Sequence, residues 1–502
     1  MALYAGIDCG TQGTKVVIID AQQGTILGSG SAPHAMLSDG QGKREQHAEW
    51  WITALIAAFA AATADAGVAP QQIAALAVSG QQHGFVALDA AGDVLHPVKL
   101  WCDTSTSAEN SWLLEQLGGE AAALQRLGLV PATGYTASKI IWFKRQHPQL
   151  WQRLACVLLP HDYLNFWLTG ERVAEYGDAS GSGLFDIRQR CWDRHTVALI
   201  DDSGRLWNAL PPLIAAEKPV GTVCQRAIDA LGLRPDTLVA SGGGDNMMAA
   251  IGSGNIRPGV LTMSLGTSGT LFACADSPVV ADSAAIAGFC SSSNGWLPLV
   301  CTMNVTSASS AVQGLLQQDV AGFNQALEQA EPGAGGMLLL PFFNGERVPP
   351  LPNARASLHN LNSDNFTAAN LCLAVVEGAT YGLRYGLDLF RQQGIRLDEI
   401  RLTGGGANSP RWRQIVADVM GCPVVCPQEK ESAALGAAIQ AAWCHQQVDS
   451  PQAADSLDLL CQRFVLLDER SRALPDEARQ RRYADLYQRY LHLLQKEYGV
   501  TL

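Results

Sequence analysis

The chain has 502 residues, more than one ordinary core accommodates, so two or more domains are expected. Apolar residues make up 47% and charged ones 16%, a globular composition that leaves no room for long disordered tracts. The formal net charge of −12 argues against nucleic acid or an anionic membrane as a partner.

The chain opens with a strand-like run over 4–7, a polar turn Gly10-Thr11-Gln12-Gly13-Thr14, and a second run over 16–19. Strand, glycine turn, strand is a β-hairpin pattern. Asp8 interrupts the first run, no basic leader precedes it, and the alanine-rich stretch over 50–64 is shorter than the ~20 residues of a membrane span; a cytoplasmic protein is expected. A helix is expected over 49–65, then a buried strand over 73–78 that ends at Ser79-Gly80-Gln81-Gln82-His83-Gly84. A short local hairpin over 85–93 and a strand over 98–100, leading to Trp101-Cys102-Asp103, come next. Further on, a strand over 238–240 runs into Ser241-Gly242-Gly243-Gly244-Asp245-Asn246 and a helix over 247–251.

Past the middle the opening pentapeptide returns as Gly266-Thr267-Ser268-Gly269-Thr270, again between apolar runs. The separation is 266 − 10 = 256 residues, about half the chain. A long helix over 370–393, a strand over 400–402, the turn Thr403-Gly404-Gly405-Gly406-Ala407-Asn408 and a helix with Pro410 in its first turn follow. The alternation reads as α/β with two related halves, and the boundary is placed at 255, giving domains 1–255 and 256–502. The last helix, over 477–498, spaces Tyr483, Leu486, Tyr487, Tyr490, Leu491 and Leu494 at helical intervals and is expected to pack on its own domain. Thirteen cysteines without a paired framework read as reduced thiols; Cys422, Cys426 and His445 lack the second close pair that a metal site needs.

Standard nucleotide signatures are missing: no G-x-x-x-x-G-K-[ST], no G-x-G-x-x-G and no G-x-S-x-G. The hairpins offer another route, since glycine turns let amides and threonine hydroxyls face an anion directly. They differ at one position, where Asp8 in the first copy is matched by Ser264 in the second. An acid beside a phosphate cradle requires a cation between them, which makes Asp8 a candidate for holding Mg²⁺, against a plain turn-capping role. Asp245, after three glycines at a strand end, is either a helix cap or a base facing a cleft. His83 with Gln81 and Gln82 is either structural or a binding cluster for a polyhydroxyl ligand.

Eight motifs occur in one order: Asp8-x-Gly-Thr, Gly80-Gln-x-His-Gly84, Leu100-Trp-x-Asp103, His161-Asp162-Tyr163-Leu with Leu-Thr-Gly, Gly242-Gly-Gly-Asp-Asn246, Ser264-Leu-Gly-Thr-Ser-Gly269, Gly345-Glu346-Arg347-Val-Pro, and Gly404-Gly-Gly-Ala407. Together they resemble the FGGY carbohydrate kinases over nearly the whole chain. The resemblance implies two ribonuclease-H-like domains of the actin, hexokinase and Hsp70 type flanking a central cleft. It implies transfer of the γ-phosphoryl of ATP, with Mg²⁺, to a sugar hydroxyl. Asp245 matches the catalytic base, and Gln82, His83, Asp103, Asp245 and Asn246 match the sugar pocket. Thr11, Gln12, Gly266 and Thr267 match the phosphate hairpins, and Gly404, Gly405, Asn408 and Gln313 match the nucleotide end. The motif set points to D-xylulose as acceptor, with L-xylulose, ribulose, gluconate or glycerol as alternatives, and to a small-molecule enzyme that could form a homodimer. Family members acting on D-xylulose commonly carry methionine where this chain has Gln82 and asparagine where it has Cys102. An actin- or Hsp70-like ATPase switch is the rival from another class.

Overall fold

The computed structural model describes residues 2–502. Two seven-stranded sheets organise the chain, and five strands of each follow one plan. In the first, the order is Leu238–Ala240, Ile73–Gly80, Leu3–Cys9, Gly13–Asp20, Thr25–Pro33; in the second it is Val424–Pro427, Leu397–Thr403, Gly259–Leu265, Gly269–Ala273, Trp296–Thr302. In each, the central strand pairs antiparallel with its hairpin partner and parallel with the strand on its other side. Even the irregularity repeats: the parallel register slips between Leu3 and Tyr4 in one sheet and between Gly259 and Val260 in the other. Asp8 then stands opposite Ser79, and Ser264 opposite Thr403.

Alternation along the first strand explains how its sheet is covered. Leu3, Ala5 and Ile7, with Leu76 and Val78 of the neighbouring strand, face Trp51, Leu55 and Phe59 of the helix Ala48–Ala66. Tyr4, Ala75 and Ala77 face the other way, onto Leu435, Ala438 and Ile439 of the helix Ser432–Asp449. A sheet buried on both faces reads as a continuous apolar run, and all eight residues of Ile73–Gly80 are buried.

The helix Ser432–Asp449 comes from the far half of the chain yet lies on the first sheet. Glycines permit the close approach. A Cβ on Gly6 would sit 1.9 Å from the Ala434 carbonyl oxygen, and one on Gly436 would sit 1.8 Å from the Met248 carbonyl oxygen. Met248 belongs to the helix Asp245–Gly252, so that helix and Ser432–Asp449 cross with their backbones in contact.

The expected helices over 49–65, 370–393 and 477–498 are present as Ala48–Ala66, Ala368–Gln392 and Glu477–Tyr498. The last buries Tyr483, Tyr487, Tyr490 and Leu494 in the core of the second sheet. The local hairpin over 85–93 is present as a tight turn, with Leu88 bridged to Val94 and the Asp89 N–H donating to the Asp93 carbonyl at 3.0 Å, while Val86–Leu88 takes Cys156–Leu158 as its strand partner. All thirteen cysteines are free.

Candidate active site

The parallel strands Leu3–Cys9 and Ile73–Gly80 and the short strand Gly243–Gly244 end side by side, so the loops that follow converge at their carboxyl ends. Glycine is required where these loops touch. A Cβ on Gly80 would lie 2.8 Å from that of His161, and one on Gly244 would lie 2.8 Å from Cγ of Gln82.

Asp245 is the first residue of its helix, and Gly244 is the cap; the carboxylate is therefore free of the capping role. Its Oδ1 accepts from the Asn246 backbone N–H at 2.8 Å and from Asn246 Nδ2 at 3.0 Å, and the same amide donates to Gln82 Oε1 at 2.9 Å. Gln82, Asn246 and Asp245 thus form one hydrogen-bonded chain. Burial first, then the negative charge of Asp8, pushes the Asp245 carboxyl up to about 7. Asp8 accepts from Ser79 Oγ at 2.8 Å, and burial raises it to about 6 against the opposing pull of that hydrogen bond and of Lys15. Lys15 is itself paired with Glu431, which precedes the helix Ser432–Asp449.

His83 takes a left-handed backbone, φ 64°. Its carbonyl accepts from Lys139 Nζ at 2.6 Å and Thr136 Oγ1 at 3.2 Å, and its ring stacks on Tyr135 with centroids 4.2 Å apart. Burial and the nearby charge of Lys139 push the imidazole down to about 3, so it is neutral at physiological pH. Two polar atoms here, His83 Nδ1 and Gln82 Nε2, are buried without a hydrogen-bond partner among the described residues. Such groups cost free energy unless a ligand or water satisfies them.

Asp103 lies deeper. It is fully buried, and its two oxygens accept from the Arg44 backbone N–H, Lys99 and Ser105. Above it, Trp101 is exposed and donates from Nε1 to Thr11 Oγ1 at 2.9 Å, which joins the polar loop to the first hairpin. The turn residues Thr11 and Gln12 stay at the surface of the hairpin, with Gln12 exposed.

The second hairpin lies under two further elements. The first amides of the helix Thr306–Leu316 approach it: Thr306 N–H donates to the Gly266 carbonyl at 2.9 Å, and Ser307 Oγ donates to the Thr267 carbonyl at 2.9 Å. Gly404, φ 84°, packs its backbone on Leu265 and Gly266, where a Cβ would fall 2.6 Å from the Leu265 carbonyl carbon. Gly404, Gly405 and Asn408 are exposed, and Gln313 is half-buried in the third turn of its helix. The sugar-side candidates therefore gather on the first sheet beside Thr11 and Gln12, while the remaining nucleotide-side candidates gather on the second.

Three contributors were not visible as site residues in the sequence. Arg347, exposed, is near enough for its charge to act on His83 and Tyr135 and places Nη1 3.6 Å from Cys301 Sγ. Lys139 holds the His83 carbonyl from 56 residues away. Gln440, on the helix Ser432–Asp449, accepts from the Gly242 N–H at 2.9 Å and donates to the carbonyls of Gly242 at 3.1 Å and Ser292 at 3.2 Å. Of these, only the Gly-Glu-Arg run around Arg347 carried a sequence signal.

The description "FGGY family of carbohydrate kinases, N-terminal domain" matches residues 3–252, and that of the family's C-terminal domain matches residues 261–445. The chain belongs to the FGGY family of carbohydrate kinases. Among its relatives, a protein of Haemophilus influenzae named xylulose kinase is 48% identical over 498 residues, 98% of this chain and 100% of that one. One of Streptomyces coelicolor with the same name is 38% identical over 88% of this chain and 87% of its own length. The crystal structure of xylulose kinase from Bifidobacterium adolescentis superposes with a TM-score of 0.82 at 30% identity, covering 96% of this chain and 99% of that one. FGGY membership makes this chain an enzyme, a kinase of carbohydrates, and removes the reading as a nucleotide-driven switch. No helix among the described residues is long and apolar enough to cross a membrane.

Proposed function

We propose that this FGGY kinase is a xylulose kinase, transferring the γ-phosphoryl of MgATP to the terminal hydroxyl of D-xylulose to give D-xylulose 5-phosphate and ADP. The observation that carries the reading is the chain Gln82–Asn246–Asp245, which ends on an uncapped carboxylate beside Asp8. The full-length relative named xylulose kinase supports the choice of acceptor.

Asp245 takes the proton of the attacking hydroxyl. A carboxyl raised to about 7 is a stronger base than an ordinary aspartate and is still half ionised near neutrality. Asn246 fixes the carboxylate by two hydrogen bonds, and the unpartnered His83 Nδ1 and Gln82 Nε2 supply polar contacts to sugar hydroxyls. Asp103 acts from beneath, holding the loop that presents Trp101. MgATP is a substrate here, and the residues fit it: a cation beside Asp8 relieves the repulsion between that acid and both the phosphates and Asp245. Among the described residues no cluster of three metal ligands exists, in keeping with a cation that arrives on the nucleotide. Thr11, Gln12, Gly266 and Thr267 present the hairpin amides to the phosphates, while Gly404, Gly405, Asn408 and Gln313 take the adenosine end. A domain division at 255 and 256 and a cytoplasmic setting belong to this reading; the first is supported by the chain passing between sheets after Asp245–Gly252, the second by thirteen free thiols.

ADP release measured with D-xylulose, L-xylulose, ribulose, gluconate and glycerol tests the acceptor, and D-xylulose should give the highest kcat/KM. Asp245→Ala should lower kcat by roughly 10²–10⁴-fold while leaving ADP binding by calorimetry within a few-fold. Turnover within tenfold of the parent would remove Asp245 from the role of base.

A further inference from the structure

Away from the cleft, the second domain carries a groove that the kinase reaction does not use. It runs between the helix Glu477–Tyr498, the loop Gly333-Ala334-Gly335-Gly336 and the hairpin formed by Leu338–Leu340 and Ser357–His359. A cavity of about 460 Å³ continues into one of about 170 Å³, with Gly333, Gly336, Leu486 and Arg489 lining both. That is within the range of small-ligand sites.

The groove is basic in an acidic protein. Arg482, Arg489 and Lys496 recur every seven residues and so share one face of the helix, and all three are exposed. Neither Arg482 nor Arg489 makes an ion pair among the described residues, and Lys496 has only Glu497 at 3.8 Å. His359 and His492 add two imidazole rings, and Asp485 is the acid on the rim. The floor has different chemistry. Glu377 accepts from the Gly333 N–H at 2.8 Å through Oε1, and the Tyr483 hydroxyl lies beside the same carboxylate. Beside it, Tyr381 is 1% exposed and its hydroxyl has no hydrogen-bond partner among the described residues. Four successive left-handed residues, Gly333 to Gly336, open the way to this floor.

We propose that the groove binds a phosphorylated polyol, a small sugar phosphate, with its phosphate on Arg489 between Arg482 and Lys496 and its hydroxyls on Glu377 and Tyr381. Cations at the rim suit a phosphate dianion, which a buried carboxylate at the floor would repel. A hydroxyl-bearing ligand satisfies the floor as well, donating to Glu377 and accepting from Tyr381. The assignment stands whichever sugar the cleft phosphorylates.

D-ribose 5-phosphate serves as probe, with inorganic phosphate, free D-ribose and AMP alongside, on the full chain by calorimetry and hydrogen exchange. The expected result is ribose 5-phosphate binding at least tenfold more tightly than phosphate, ribose or AMP, with protection of residues 333–336 and 482–496. Arg489→Ala and Tyr381→Phe should each weaken that binding by tenfold or more, Asp245→Asn should leave it unchanged, and Arg489→Ala should retain sugar phosphorylation. Protection confined to the cleft overturns the proposal. So does phosphate or AMP binding as tightly as ribose 5-phosphate, or indifference to both groove variants.

Discussion

Asp245 carries two opposed demands. Burial and the charge of Asp8 hold its carboxyl at about 7, well above the usual 3.8. A carboxyl raised in the native state binds its proton more tightly there than in the unfolded chain. The resulting stability is fully present below pH 3.8 and is lost as pH rises through 7. Asp245→Asn removes a buried charge, so it should raise the melting temperature, by more at pH 8 than at pH 5, while losing turnover. Calorimetric melting of both proteins at the two pH values measures this, and an equal or larger gain at pH 5 would contradict it. Catalysis as proposed runs the other way, because there the ionised form is the base. At low MgATP, kcat/KM for the sugar should fall tenfold per pH unit below an inflection near 7. Saturating MgATP should shift that inflection downward by neutralising Asp8. His83, already neutral with its pKa at about 3, contributes no second limb in that range.

Among the elements, the crossing of Asp245–Gly252 with Ser432–Asp449 leaves least room. A methyl on Gly436 would meet the Met248 carbonyl oxygen at 1.8 Å, and that contact is backbone, which no side-chain rotation relieves. Gly436→Ala should therefore cost more than the ~1–3 kcal/mol of ordinary overpacking. It should also lower kcat, because the helix it displaces begins at Asp245. Denaturation midpoints and turnover report the two effects, and a variant of parental stability would mean that the helices are free to part. The elements themselves were legible. Apolar runs on either side of a glycine turn set both hairpins, and the sequence marked the last helix at its observed bounds, Glu477–Tyr498, because tyrosines and leucines at helical intervals are a local signal. What could not be read was partnership. Val86–Leu88 forms the local turn that the sequence suggested, yet its strand partner, Cys156–Leu158, comes from 70 residues away. The alanine-rich Ser432–Asp449 has apolar residues nearly all round, so its composition says it is buried without saying against which sheet.

At the scale of the whole molecule, the repeated hairpin disclosed the duplication, and the shared slip at Tyr4 and Val260 extends it from sequence to backbone detail. Within that duplicated frame, the site depends on the departures from symmetry: Asp8 where the second half has Ser264, and Ser79 where it has Thr403. Glycine, histidine and aspartate clustered at strand ends marked the motif residues as candidates, and the resemblance to FGGY kinases chose among their roles. Lys139 and Gln440 were hidden because each acts across a long stretch of chain on a backbone atom, and Arg347 stood in a motif whose target, the His83 ring, the sequence could not name. Gln440 has a further consequence. It grips both carbonyls, Gly242 three residues before Asp245 and Ser292 in the second half of the chain, so the proposed proton acceptor is tied to the half proposed to receive the nucleotide. Two ligands that bias one shared geometry obey reciprocity: by whatever factor sugar tightens nucleotide, nucleotide must tighten sugar. Dissociation constants for ADP with and without D-xylulose, and for D-xylulose with and without ADP, should change by the same ratio above one. Gln440→Ala should bring that ratio close to one, leaving an enzyme whose two substrates arrive as strangers.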